Sequence, residues 1–265
     1  MINLESICEA VVKLAADTGE FIRSEAGVFD ISKAETKGLH DYVSYVDKES
    51  EKRLVDGLSL ILPEAGFIAE EGTSEKKGLE FNWVIDPLDG TTNFLHALSP
   101  FAISIGLEKN NLPVLGIVHE IMGRNTFTAW KNGGAFLNGK PIKVSGVSDL
   151  SGSLVATGFP YNDFSRLSHY MESLTWFCRN TQGIRRLGSA SVDLCYIACG
   201  KFETFYEYDL KRWDVSAGII ILREAGGRVS DFSGNENNLS GSEIVAANSS
   251  VFPEFLKIVS NFMNV

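Results

Sequence analysis

The run Trp83-Val84-Ile85-Asp86-Pro87-Leu88-Asp89-Gly90-Thr91-Thr92 constrains this chain more than any other stretch. Trp83, Val84 and Ile85 read as a short apolar strand. It ends abruptly in two aspartates, and the proline between them restricts the turn. Crowded carboxylates repel one another unless they are protonated or bridged by a cation. Oxygen donors grouped in this way are hard ligands of the kind Mg²⁺ takes. Gly90 and the two threonines after it let backbone N–H groups approach an anion closely. Metal and phosphate side by side point to phosphoryl chemistry.

With 265 residues the chain buries a large core, as one domain or as two closely packed halves. An apolar content of 44% and a charged content of 22% are those of an ordinary soluble globular enzyme. The net charge of −10 argues against a general nucleic-acid binder, which carries a basic stripe. It agrees with a site that gathers carboxylates around cations. The opening residues, Met1 to Glu5, lack the basic and apolar regions of a leader peptide. No apolar run approaches the roughly 18 residues a membrane span needs. A cytoplasmic protein with no membrane or nucleic-acid partner is expected. Cys8, Cys178, Cys195 and Cys199 have no metal-ligand spacing and are expected to be buried, reduced core residues.

Apolar residues at helical spacing from Leu4 to Ile22 predict a first helix ending near Gly27. A hairpin is expected around Lys37-Gly38. Asp47 is expected to open a second helix, which Pro63 stops. A strand from Ile68 to Glu71 leads into paired glutamates. Strands are read at 101–107, 114–119 and 126–130. Asn132-Gly133-Gly134 and Asn138-Gly139 mark hairpin turns that need positive φ. Beyond about residue 150 the pattern alternates. Strands near 154–156, 183–186, 205–206 and 244–247 are interleaved with helices near 164–178, 189–199, 214–225 and 251–262. The chain therefore divides into an α+β half, 1–148, and an α/β half, 149–265, packed as one unit.

Each acidic motif also has a plain reading. Glu70-Glu71 before Gly72 is ordinarily a solvated loop, but here it closes an apolar strand. Asp214 in Trp213-Asp214-Val215 is a helix cap, a ligand, or both, since a helix start also fixes where a carboxylate points. Asp47 is a cap or a supporting base. Thr91 is a capping hydroxyl or part of a water-activating set. Lys37 is ordinarily a surface lysine. His40, His96, His119 and His169 show no ligand or triad spacing.

Three signatures occur in order: Ile68-Ala69-Glu70-Glu71-Gly72, Trp83 to Phe94, and Trp213-Asp214-Val215-Ser216-Ala217-Gly218 running to Glu224-Ala225-Gly226-Gly227. With them the chain resembles the inositol monophosphatase family of Mg²⁺-dependent, lithium-sensitive phosphatases. The Thr-Thr-Asn-Phe ending at Phe94 is similar to the inositol phosphatase branch, and Arg185 to Ala190 resembles bacterial members. The resemblance implies the layered αβαβα sandwich of the inositol monophosphatase and fructose bisphosphatase type, a homodimer, and hydrolysis of inositol monophosphates.

It also implies roles. Glu70, Asp86 and the Leu88 carbonyl hold a first Mg²⁺; Asp86, Asp89 and Asp214 hold a second. A third, weaker Mg²⁺ sits on Glu70 through waters. A metal-activated water attacks phosphorus directly, assisted by Glu70 and Thr91 with Asp47 in support. Gly90 and Thr91 bind phosphate through their backbone. Asp89, Ala190, Glu207 and Asp214 line the place of the alcohol, a small phosphorylated polyol. Lys37 lies four residues before Asp41, a departure from the spacing in some members.

Two rivals remain at this level. The same chemistry on fructose bisphosphate, histidinol phosphate or a nucleotide 3′-phosphate is one; a bisphosphate needs a second cationic pocket, and Arg185, Arg186, Lys211 and Arg212 form a candidate. The other is a regulatory protein that retains the fold, since some bacterial relatives associate with the transcription machinery.

Overall fold

Cys8, Val11, Ala15 and Ile22 give α1 (Leu4–Glu25) one buried face. The computed structural model describes residues 2–30, 32, 34–38, 41–237 and 239–264, with backbone alone at 36–38, 41 and 42. Strands β1 (Glu35–Gly38) and β2 (Asp41–Val43) pair antiparallel as the expected hairpin. The Lys37 side chain and His40 lie outside the described residues.

Helix α2 (Tyr45–Ile61) starts earlier than expected. Ser44 is the N-cap and accepts from the Val46 N–H at 3.1 Å. Asp47 is the third helical residue, and its Oδ2 accepts the Ser44 N–H at 2.8 Å. Both residue types cap well; the reciprocal capping box uses Ser44 first and Asp47 second.

The first sheet takes its strands in chain order: β3 (Gly66–Ala69), β4 (Phe81–Asp89), β5 (Ala102–Lys109), β6 (Leu112–Glu120), β7 (Asn125–Trp130), β8 (Gly134–Leu137) and β9 (Lys140–Pro141). Only β3 and β4 pair parallel. Strand β3 ends at Ala69, so both glutamates lie beyond it rather than within it as expected. The Glu70 N–H still donates to the Ile85 carbonyl at 3.2 Å. The two predicted hairpin turns are present, with φ of 62° at Asn132, 86° at Gly134, 49° at Asn138 and 74° at Gly139. The short helix α3 (Thr91–Leu95) between β4 and β5 was not expected.

The second half supplies β10 (Leu154–Thr157), α4 (Leu167–Asn180), β11 (Gly183–Arg185), α5 (Ala190–Ala198), β12 (Thr204–Tyr208), α6 (Arg212–Glu224), β13 (Gly227–Ser230), β14 (Glu243–Asn248) and α7 (Phe252–Met263). Its five strands take the order β11-β10-β12-β14-β13. Strand β13 was not legible, because Gly-Arg-Val-Ser carries neither length nor alternation.

The layers follow from which faces are apolar. Trp83, Ile85, Ile103, Ile105, Leu107, Leu115 and Ile117 pack toward α1 and α2. On the other face of that sheet, Gly106 and Gly116 admit α6: a Cβ at Gly106 would press on the Ser216 side chain, and one at Gly116 on the Ala217 carbonyl. Helices α5 and α6 fill the space between the sheets with Leu194, Val215, Ile219 and Ile221. Helices α4 and α7 cover the outer face of the second sheet through Tyr170, Phe177, Phe255 and Val259. The order is the expected αβαβα.

All four cysteines are free. Cys8 and Cys195 are buried as expected, but Cys178 is exposed on the solvent-facing side of α4, and Cys199, at the C-terminal end of α5, is only partly buried. Among the described residues no helix is long and apolar enough to cross a membrane.

Candidate active site

The aspartate run is not a turn at a strand end. Strand β4 continues through it to Asp89, with a bulge in its pairing to β5: Asp86 faces Ser104 and Asp89 faces Ala102. Pro87 has no N–H to give a ladder, and a bulge is where a strand accommodates that. The result is two aspartates held on a buried strand, 3% and 8% exposed.

A cavity of about 240 Å³ opens where the bulge, the Glu70 loop, β12 and the starts of α5 and α6 meet. Glu70, Asp86, Leu88, Asp89, Gly90, Thr91, Ala190, Glu207 and Asp214 all line it. Asp47 does not, but it is joined to the wall: Thr91 Oγ1 lies 3.1 Å from Asp47 Oδ1 and 3.1 Å from the Leu88 carbonyl.

Asp86, Asp89 and Asp214 are each aimed by a nearby donor. Asp86 Oδ1 accepts the Leu88 N–H at 2.9 Å. Asp89 Oδ2 accepts Ser189 Oγ at 2.7 Å, the Ser191 N–H at 2.8 Å and Ser191 Oγ at 2.5 Å, which ties the bulge to the first turn of α5. Asp214 is the third residue of α6, not its N-cap, and its Oδ2 accepts the Lys211 N–H at 2.7 Å. Glu70 sits on a loop clamped from α2: Glu51 Oε2 accepts the Glu71 N–H and Oε1 the Thr73 N–H, both at 2.7 Å. Glu51 was missed. The available signal was a charged residue on the same helix face as Asp47, Leu54 and Leu58.

Burial pushes the Asp86 carboxyl well up, and Glu70, Asp89 and Asp214 add to it. Asp214 is pushed up to about 7, by burial first and Asp89 next. Asp89 is raised by burial against its serine donors. Asp47 is raised by burial, opposed by Ser44 and Thr91. These groups favour either protons or a cation among them.

The donors are oxygen atoms throughout, the ligand chemistry of a hard divalent cation. Among the described residues no three His, Cys, Asp or Glu side chains are drawn into a formed metal cage. The fit to a metal is therefore one of donor chemistry and shared burial.

The far wall carries Glu207 on β12 and Ala190 at the start of α5, with Asp193, Arg186 and Tyr161 beside them. Burial pushes Glu207 well up, and Arg186 opposes it. Arg186 Nη2 donates to Tyr161 Oη at 3.1 Å.

Of the basic cluster expected for a second phosphate, only Arg186 and Lys211 line the cavity. Arg212 Nε donates to buried Glu108 Oε1 at 3.0 Å, away from the cavity. Arg185 is exposed and bonds the carbonyl of its neighbour Ile184 at 2.9 Å. Lys211 lines the cavity but lies 3.5 Å from Asp209 Oδ1. Adjacent residues at a strand or helix end point to different sides, so Arg186 and Lys211 line the cavity while Arg185 and Arg212 do not.

The model of the inositol monophosphatase family matches residues 3–263. The chain belongs to that family. A Pseudomonas aeruginosa protein named Nus factor SuhB is 36% identical over 261 residues, covering 97% of this chain and 96% of that one. A Mesorhizobium japonicum protein named inositol-1-monophosphatase is 34% identical over 255 residues, covering 96% of each. The crystal structure of extragenic suppressor protein suhB from Bartonella henselae superposes with a TM-score of 0.89 at 34% identity, over 96% of this chain and 98% of that one. Membership in this family of phosphatases agrees with an acidic, oxygen-lined cavity, and metal dependence is the family's general property.

Proposed function

We propose that this protein is a Mg²⁺-dependent phosphomonoesterase that hydrolyses inositol monophosphates. The observation that carries the reading is the convergence of Glu70, Asp86, Asp89 and Asp214 from three separate parts of the chain on one cavity. Glu70, Asp86, the Leu88 carbonyl, Asp89 and Asp214 would hold Mg²⁺, which would neutralise phosphate oxygens and lower the pKa of the attacking water.

The remaining chemistry belongs to the chain's own residues. Gly90, at φ 97°, and Thr91 turn their backbone N–H groups to the phosphate. Thr91 Oγ1 passes its proton to Asp47 and so can accept one from a water on its cavity side. Ser44 holds Asp47 in place for that relay. Glu70 is the second acceptor at the water, and Asp89, Ala190 and Glu207 meet the alcohol. Only Arg186 and Lys211 of the four basic residues line the cavity, and Asp193, Glu207 and Asp209 line it with them, which favours a monoester over a bisphosphate.

Phosphate release from myo-inositol 1-phosphate, fructose 1,6-bisphosphate and adenosine 3′,5′-bisphosphate, each with and without a chelator, tests this. Preference for the inositol ester supports the reading. Preference for a bisphosphate moves the specificity elsewhere, and no chelator-sensitive release from any of them defeats it. Full activity in Asp86→Asn also defeats it.

Relatives named Nus factor SuhB favour a second reading: association with the transcription machinery, alongside or instead of catalysis. Pull-down of the intact protein tests it. Recovery of RNA polymerase subunits supports the association, and their absence leaves the enzyme alone.

A further inference from the structure

Asp193 lies in the first turn of α5, 1% exposed, and lines the cavity on the wall it shares with Glu207. Its Oδ1 has no hydrogen-bond partner, and among the described residues it is the one carboxylate oxygen buried in that condition. The contrast within the site is direct: Asp47, Asp86, Asp89 and Asp214 each accept from a nearby donor. An unmet carboxylate oxygen is among the most unfavourable groups a core can hold. The oxygen needs a donor, and the residue that carries it lines the cavity.

We propose that Asp193 is a specificity-determining residue that accepts a hydrogen bond from a ring hydroxyl of the bound alcohol, on the reading that the cavity takes a phosphorylated polyol. A hydroxyl fits both neighbours. It donates to Asp193 or Glu207 and accepts from Arg186, which is bonded to Tyr161 rather than paired with either carboxylate. A second phosphate at that place would face two carboxylates and one guanidinium, so the same wall selects against bisphosphates. An alcohol without a hydroxyl leaves Asp193 unmet.

The test compares myo-inositol 1-phosphate with p-nitrophenyl phosphate, whose leaving group has no hydroxyl donor, in wild type, Asp193→Asn and Asp193→Ala with Mg²⁺. The expected result is a KM for the inositol ester raised at least tenfold in Asp193→Ala and less in Asp193→Asn, which keeps one acceptor oxygen. Turnover of the nitrophenyl ester stays within twofold, which also shows that the variants fold. Without substrate Asp193→Ala melts above wild type, because an unmet buried carboxyl group has been removed. An unchanged KM for the inositol ester overturns the assignment. So does an equal loss on both esters with a lower melting temperature, the mark of a structural role. Wild type that hydrolyses neither ester defeats the phosphatase reading itself, and the role of Asp193 with it.

Discussion

Replacing Glu51 by alanine probes how a buried helix side chain holds the loop that carries Glu70. Glu51 is fully buried, and its two oxygens accept the Glu71 and Thr73 N–H groups at 2.7 Å each. Hydrogen bonds to a charged group contribute about 1.5–3 kcal/mol apiece, so losing both acceptors removes about 3–6 kcal/mol. The loop is half exposed, and water can meet part of that demand. The expected loss is therefore about 3–4 kcal/mol, at the lower end of the range. Glu51→Gln keeps one oxygen but turns an NH₂ toward the other N–H, for an expected loss of about 2 kcal/mol. Urea unfolding in the presence of a chelator measures both variants, with the slope unchanged. Calorimetric titration with Mg²⁺ then reads the loop. A released loop no longer holds Glu70 against the bulge, so Glu51→Ala binds Mg²⁺ more weakly than Glu51→Gln. A loss below about 1 kcal/mol in Glu51→Ala with an unchanged slope would refute the clamp, since that is less than one such bond.

Three further outcomes follow from the same geometry. Burial raises the carboxyls of Asp86, Asp193 and Glu207, and takes Asp214 to about 7; in the unfolded chain they titrate near 4. The metal-free fold thus holds the extra protons between those values, and their stabilisation is lost as pH rises through the folded pKa. The gain in melting temperature from Mg²⁺ is then larger at pH 8 than at pH 5.5, and an equal gain contradicts this account. Arg212→Ala leaves Glu108, 2% exposed, with Ser216 as its remaining side-chain donor. A loss of about 2–4 kcal/mol is expected in urea unfolding, below the full figure for a buried pair because Arg212 is partly exposed. The preference between inositol 1-phosphate and fructose 1,6-bisphosphate is unchanged; a shift in that preference would return Arg212 to the substrate. Gly158→Ala puts a Cβ into the Glu207 carboxyl group. Glu207 must move, so KM for the inositol ester rises while stability falls by about 1–3 kcal/mol; an unchanged KM would remove Glu207 from the alcohol side.

What the sequence determined by itself was local. The apolar spacing in 4–22 gave α1, and Asn-Gly pairs gave the turns at Asn132 and Asn138, because helix periodicity and positive φ depend on residues a few places apart. The acidic strings at Glu70, Asp86 to Asp89 and Asp214 announced oxygen-ligand chemistry for the same reason. Tertiary structure decided the rest. It turned the expected strand end at Asp86 into a bulge, because only pairing with Ser104 and Ala102 shows that β4 runs on to Asp89. It kept Arg186 and Lys211 on the cavity and turned Arg185 and Arg212 away from it, a division their nearness in sequence did not record. It also brought Glu51 under the Glu70 loop and left Asp193 unmet on the far wall. The partners of Glu51 and Asp89 come from segments twenty or more residues away, and no local pattern records whether such partners arrive.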